Sequence, residues 1–262
     1  MLTELLEDYR TERGIRSCTL YRMGRAVAVY SEFIGHAAET ADLARDPVNH
    51  WIGWMLERYS PKTAREFRGD LLAVWRYAAD RDLCQYPARI RVVHLSRPIP
   101  VAWTLDEVRR MLSICPLVKH GDYLALLLTV AYETGLRRGD LLSLDARQIA
   151  PDGTVRSLQH KTSIGHACQL RADTAERLRL RGNLKPPVGV RRIYRLLEQV
   201  RERANVSSGA MQQMRRTGAT QVEIQQPGAA QRFLGHETPG LAYRYYVDWS
   251  QVQRPVEPPK IW

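Results

Sequence analysis

The chain has 262 residues, 44% of them hydrophobic, which is enough to bury real cores and excludes wholesale disorder. Its longest run free of charges and breakers, Tyr123 to Tyr132, is far short of the ~18 apolar residues of a membrane span, and the acidic start MLTELLEDYR does not read as a signal peptide, so a cytoplasmic protein with no membrane partner is expected. Four cysteines without CxxC spacing or clustered histidines indicate neither a zinc site nor a disulfide framework, and nothing points to a cofactor. The net charge of +11 is uneven: residues 1 to 100 contribute 15 − 13 = +2 and residues 101 to 262 contribute 24 − 15 = +9. Twelve cations against four acids give +8 to residues 171 to 216 alone, a field that attracts polyanions, of which nucleic acid is the commonest.

Leu2, Leu5, Leu6 and Tyr9, then Leu20, Met23, Val27, Tyr30 and Ile34, recur at helical spacing. Asp46-Pro47 reads as a capped start for a third helix with Val48, Trp51, Ile52 and Met55 on its apolar face, and Ser60-Pro61 as the same device for a fourth, with Ala64, Phe67, Leu71, Trp75 and Ala78. The four form a small helical domain over residues 1–92. Residues 93–102, VVHLSRPIPV, break periodicity and read as a linker to a second domain over 103–262.

That domain opens on a capping box, Thr104 and Glu107, and runs as helix through Tyr123 to Glu133 with Gly135 as its stop and a short helix over Asp140 to Leu144. Thr154 to Gln159 and Ala167 to Leu170 read as two strands about a turn at Lys161 to Gly165. Helical patterns resume in Thr174 to Leu180, Val190 to Val200, Ala210 to Val222, Ala229 to Leu234 and Leu241 to Val247, and the proline-bearing tail is not helical. The fold class expected is therefore mostly α with a small β-hairpin.

Four segments carry the chemistry-bearing residues: Glu133-Thr-Gly-Leu-Arg137-Arg-Gly-Asp140, His160-Lys161-Thr162 in the hairpin, Gln212 followed by Met214-Arg215-Arg216-Thr217, and Leu234-Gly235-His236 with Tyr245 nine residues on. In this order they resemble the tyrosine recombinases, or phage-type integrases: a TGLR segment with an acidic residue after it, a lysine on a β-turn, an HxxR segment, and an LGH motif with its nucleophile spacing. The N-terminal helices resemble that family's core-binding domain, so the likeness spans nearly the whole chain. It implies a compact member that lacks an additional arm-binding domain, clamps double-stranded DNA between its two domains, and works as a nucleoid-associated tetramer on two DNA sites. Ile261 and Trp262 in the tail are candidate anchors on a neighbouring protomer.

Breaking a phosphodiester without metal or water requires a nucleophile, charge on the non-bridging oxygens and an acid for the leaving 5′-oxygen. The resemblance assigns Tyr245 as nucleophile, giving a 3′-phosphotyrosyl ester. It assigns Arg137 and Arg215, always charged and bidentate, to the phosphate oxygens. Lys161, one of only five lysines, takes the acid role, His236 a hydrogen bond to phosphate or tyrosine, and Asp140 the orientation of the arginines. Arg138, Arg191, Arg192, Arg195 and Arg216 are candidate DNA-binding cations. Three tyrosines crowd the last helix: Tyr243 and Tyr246 share a face and Tyr245 points elsewhere, but the nine-residue spacing selects Tyr245. The family's HxxR histidine falls on Gln212, which cannot titrate near neutrality and leaves the phenol without its usual proton acceptor. Two alternatives follow: a catalytically silent DNA-binding member, and strand relaxation of the type IB topoisomerase kind.

Overall fold

The computed structural model describes residues 1–96, 99–160, 164–207, 209–238 and 240–252. By its internal contacts the chain divides into two units, Met1–Arg97 and Pro98–Trp262.

The first unit is four helices, α1 (Leu2–Arg13), α2 (Ser17–Ile34), α3 (Arg45–Arg58) and α4 (Pro61–Ala79). Their apolar faces meet in one core built on Leu2, Leu6, Val27, Tyr30, Trp51, Ile52, Met55, Leu71 and Trp75. Ser60 caps α4, its hydroxyl accepting from the Thr63 backbone at 3.2 Å with Pro61 in the first turn. The third helix starts earlier than the Asp46-Pro47 reading: its N-cap is Ala44, with no side-chain cap, and Asp46 becomes a first-turn acid that suits the positive end of the helix. Arg22 of α2 holds the buried Asp70 of α4 through two bonds, Nε to Oδ2 at 2.6 Å and Nη2 to Oδ1 at 2.8 Å. Val93, inside the sequence-defined linker, packs into this core.

The second unit is built around α6 (Gly121–Thr134), apolar nearly all round and buried along its length, as such a helix must be. Before it comes α5 (Leu105–Ile114), opened by the expected box: the Thr104 hydroxyl accepts from the Glu107 backbone at 3.2 Å, and Glu107 accepts from the Thr104 backbone at 2.8 Å. After it come α7 (Arg138–Leu142), the antiparallel strands β1 (Thr154–Leu158) and β2 (Gly165–Gln169), α8 (Ala172–Arg181), α9 (Val190–Arg203) and α10 (Met211–Gln225). The hairpin register runs from Thr154 opposite Gln169 to Leu158 opposite Gly165, and most of its turn, including Lys161, lies outside the described residues. Three short helices follow, α11 (Ala230–Phe233), α12 (Leu241–Tyr245) and α13 (Trp249–Val252). The tail anchors Ile261 and Trp262 lie outside the described residues.

α10 packs directly on α6, and the approach is close because Gly218 has no Cβ: one placed there would stand 2.3 Å from the Tyr132 carbonyl oxygen. The same helix is tied to the chain before α5 through Thr217, whose hydroxyl accepts from the Trp103 backbone at 3.1 Å. Buried Asp248 accepts from the Ala102 backbone at 2.9 Å, and its own N–H donates to the Thr220 hydroxyl at 2.9 Å. Fixing α10 to α6 fixes Arg215 against the end of α6, where the candidate site begins.

Candidate active site

α6 stops at Gly135, which takes φ +59° and sits so near Phe233 that a Cβ would approach the ring to 2.6 Å. Leu136 is then buried as an anchor, and the extended Arg137 precedes α7. A second left-handed glycine, Gly235, ends α11 with so little space that a Cβ would stand 2.6 Å from both Gln159 Nε2 and His166 Nδ1. Two tight stops thus deliver Arg137 and His236 to the same place. The motif glycines are required by backbone sign and by packing together.

Arg215 is only 1% exposed. Its Nη1 donates to the Gly135 carbonyl, and its Nη2 to the Leu234 carbonyl at 3.1 Å and to His236 Nε2 at 3.1 Å. Burial pushes its pKa down to about 10 while the Tyr246 oxygen, by charge and hydrogen bonding, pushes it up, so the guanidinium remains a cation at neutral pH. His236 accepts at Nε2, so its proton sits on Nδ1, which is buried without a partner among the described residues. Its pKa is pushed down to about 4, first by burial and then by Arg215, Arg137 and His166, and the ring is neutral at pH 7. Arg215 Nε is likewise a buried donor without a partner among the described residues.

Arg137 donates from Nη1 to Oε1 of Gln159, which is 1% exposed and whose Nε2 reaches the Leu234 carbonyl at 3.4 Å. Gln159 thereby spans the TGLR and LGH segments. His166, on the inward face of β2, contacts the Thr134 carbonyl through Nε2 at 3.2 Å, and burial lowers its pKa. Neither residue stood out in the sequence, because a buried glutamine and histidine in short polar strands carry no motif; only the period-2 alternation of β2 marks His166 as inward.

Asp140, 5% exposed, adds its field to that around Arg215, but its hydrogen bonds go elsewhere. Oδ1 accepts from the His160 backbone at 2.8 Å and meets the His160 Nδ1 at 2.8 Å. A cleft of about 500 Å³ opens here, lined by Arg137, Arg138, Asp140, His160, Tyr194, Gln212 and Tyr246 among others. Gln212 is exposed at its edge.

The tyrosines separate. Tyr245 ends α12 with 47% of its surface exposed and does not line the cleft. Tyr246, the next residue, turns inward: its ring centroid is 5.0 Å from that of His236, and the Arg215 guanidinium carbon lies 4.9 Å from its centre. Tyr243 is partly buried against the core of Ala219, Leu234 and Ala242. Of the candidate DNA-binding cations, Arg191, Arg192 and Arg195 stand exposed on α9 and Arg138 on α7, whereas Arg216 is half-buried with Nη1 on Gln213 Oε1 at 2.8 Å.

No family model matches the sequence, and no curated protein is significantly similar to it. Solved structures are similar. Lambda integrase (residues 75–356), as a dimer bound to a COC′ core site, superposes with a TM-score of 0.80 at 20% identity, over 97% of this chain and 98% of that one. The fold is that of the tyrosine recombinases. The XerH site-specific recombinase in a pre-cleavage complex with its difH substrate matches with a TM-score of 0.71 at 15% identity, over 95% of this chain and 83% of that one. The Tn1549 transposon integrase (residues 82–397), in complex with circular intermediate DNA, gives 0.70 at 14%, over 98% and 96%. At such identities the tyrosine-recombinase fold is shared, and the residues have to be judged on their own geometry.

Proposed function

We propose that the protein is a site-specific DNA recombinase or integrase that cuts and rejoins duplex DNA through a 3′-phosphotyrosyl intermediate. The observation that carries this reading is the cluster of Arg215, neutral His236 and Tyr246, with Tyr246 and Arg137 lining one cleft and with Arg215 Nε and His236 Nδ1 buried without acceptors among the described residues. A phosphate entering the cleft would meet Arg137 on its wall, with the Arg215 cation held beside Tyr246 behind it. In the reaction the tyrosine oxygen bonds to phosphorus, the bond to the 5′-oxygen breaks, and Lys161 supplies the leaving oxygen with its proton. The ester keeps roughly the energy of the bond replaced, so religation requires no ATP.

The nucleophile we assign is Tyr246 rather than Tyr245, because its oxygen interacts with Arg215 and it lines the cleft, whereas Tyr245 is exposed and does not line it. DNA would lie along the exposed cations of α7 and α9, with Arg138, Arg191, Arg192 and Arg195 on its phosphates. Lambda integrase is also seen as a tetramer bound to a Holliday junction, and a tetramer on two sites is the assembly proposed here. Among the described residues no helix is long and apolar enough to cross a membrane, and a nucleoid-associated protein is the location proposed.

A silent DNA-binding protein is the second reading, favoured by Gln212 at the cleft edge. Incubation with a pool of randomised duplexes, followed by recovery of detergent-resistant adducts, tests both. The wild type should form an adduct, Tyr246→Phe should bind DNA without forming one, and Tyr243→Phe and Tyr245→Phe should still form it. Loss in Tyr245→Phe with retention in Tyr246→Phe returns the nucleophile to the nine-residue spacing. DNA binding by the wild type without any adduct makes the protein the silent member.

A further inference from the structure

Arg137 and Arg138 are consecutive, yet their side chains lead to different elements. Arg137 donates to Gln159 beside the hairpin, whereas Arg138 reaches across to Tyr194 of α9, its Nη1 3.5 Å from the phenol oxygen. Both arginines and Tyr194 line the same cleft of about 500 Å³, which is more than a single phosphate fills. The reacting phosphate is assigned to Arg137 and Tyr246, so the Tyr194 side of the cleft is left to whatever lies next along the strand.

Tyr194 is a rigid post. Its ring packs on the core that Ile193, Leu196 and Leu197 of α9 enter, and a phenol has only two side-chain torsions to fix. Its contact with Arg138 is longer than the roughly 2.7–3.2 Å of a well-made N–H···O bond, and among the described residues its own O–H has no acceptor. Arg138 is exposed and has no carboxylate partner among the described residues, because Asp140, two positions on, accepts from His160 at 2.8 Å. Two donors from separate elements therefore face one cleft, so placed that a single anionic oxygen can accept from each. Beyond Tyr194 lies a smaller hollow of about 220 Å³, which Tyr194 lines together with Arg195, Arg201 and one acid, Glu198. A backbone leaving the cleft past Tyr194 thus stays beside positive charge.

We propose that Arg138 and Tyr194 together hold a phosphodiester next to the scissile one on the cut strand, and so fix which bond Tyr246 meets. The proposal rests on the recombinase reading above. The guanidinium supplies charge and a bond to a non-bridging oxygen, while the phenol donates a second bond from a ring that cannot swing away. A misplacement of ~1 Å at a reacting centre can cost on the order of 100-fold in rate, so holding the neighbouring phosphate acts on the rate as well as on affinity. Both are positioning residues: neither is assigned a bond to the reacting atoms.

Tyr194→Phe removes the hydroxyl and keeps the packed ring. It is tested in the full chain on a duplex recovered from the adduct selection, with an uncharged methylphosphonate placed at one phosphate of the cut strand at a time, on either side of the cut. Adduct rate and DNA affinity are both read. On unmodified DNA, Tyr194→Phe should slow adduct formation about 10-fold, the worth of one hydrogen bond to a charged group. A methylphosphonate at one flanking position should slow the wild type by a similar factor and cost Tyr194→Phe nothing further, because that contact is already gone. Arg138→Gln should lose its own penalty at the same position. Penalties that multiply at every position mean that Tyr194 acts through the packing of α9, and overturn the proposal. So do a wild-type rate for Tyr194→Phe, coupling for Arg138 without Tyr194, or coupling at the scissile phosphate alone. Absence of any wild-type adduct is a different result, the failure of the recombinase reading itself.

Discussion

Gly218→Ala sets two well-measured effects against each other. In the middle of α10, exchanging glycine for alanine should stabilise the helix by ~1 kcal/mol, since glycine loses more backbone entropy on folding. The new methyl, however, would stand 2.3 Å from the Tyr132 carbonyl oxygen and 3.1 Å from the Phe233 ring. Ordinary contact begins at 3.4 Å, so α10 must retreat from α6 by 3.4 − 2.3 = 1.1 Å. Overpacking of this kind costs ~1–3 kcal/mol, and the upper end applies because the nearest atom is backbone, which cannot rotate aside. The net expectation is a loss of ~2 kcal/mol, a fall of about 4–8 °C in the melting temperature of a unit this size. Calorimetry on the full chain should show the second unit's transition moving while that of the helical unit stays. Retreat of α10 also draws Arg215, three residues earlier, off the Gly135 carbonyl, so adduct formation should fall further than stability alone explains. A variant more stable by ~1 kcal/mol would refute the close approach, because only propensity would then be acting.

Acidification should destabilise the second unit through His236. Its folded pKa of about 4 lies below the ordinary 6.5, so its contribution is fully present above 6.5 and is lost as the pH falls toward 4, by up to ~3 kcal/mol. Denaturant titrations between pH 7 and 4 measure this, and equal stability across the range would contradict a buried neutral ring. DNA affinity should fall steeply with salt, and replacing Arg191, Arg192 and Arg195 together by alanine should reduce the slope of log K against log salt by about 3. An unchanged slope would mean that α9 does not lie on phosphate.

Local rules carried most of the architecture. Apolar residues at helical spacing placed α1 to α6 and α8 to α10, and Ser60 and Thr104 cap as their positions in the sequence imply, because a cap is settled within four residues of chain. Asp46-Pro47 failed as a start: nothing local prevents a helix from beginning two residues before a proline in its first turn. The order of motifs was enough to name the fold shared with the solved structures, although no family model matches the chain.

What the sequence could not decide is which neighbours those motifs acquire. Gln159 and His166 join the site only because a hairpin folds over the Gly135 and Gly235 stops, contacts 20 or more residues apart that leave no periodic trace. The tyrosines show the same division. A 100° helical step puts Tyr243 and Tyr246 on one face and Tyr245 on another, which is a local fact. Which face meets Arg215 depends on how α12 lies against α10 and α11, and burial of Ala242 and Val247 turns Tyr246 inward and leaves Tyr245 at the surface. Side-chain identity is written along the chain, whereas the partner that gives it a pKa or a role is chosen by packing.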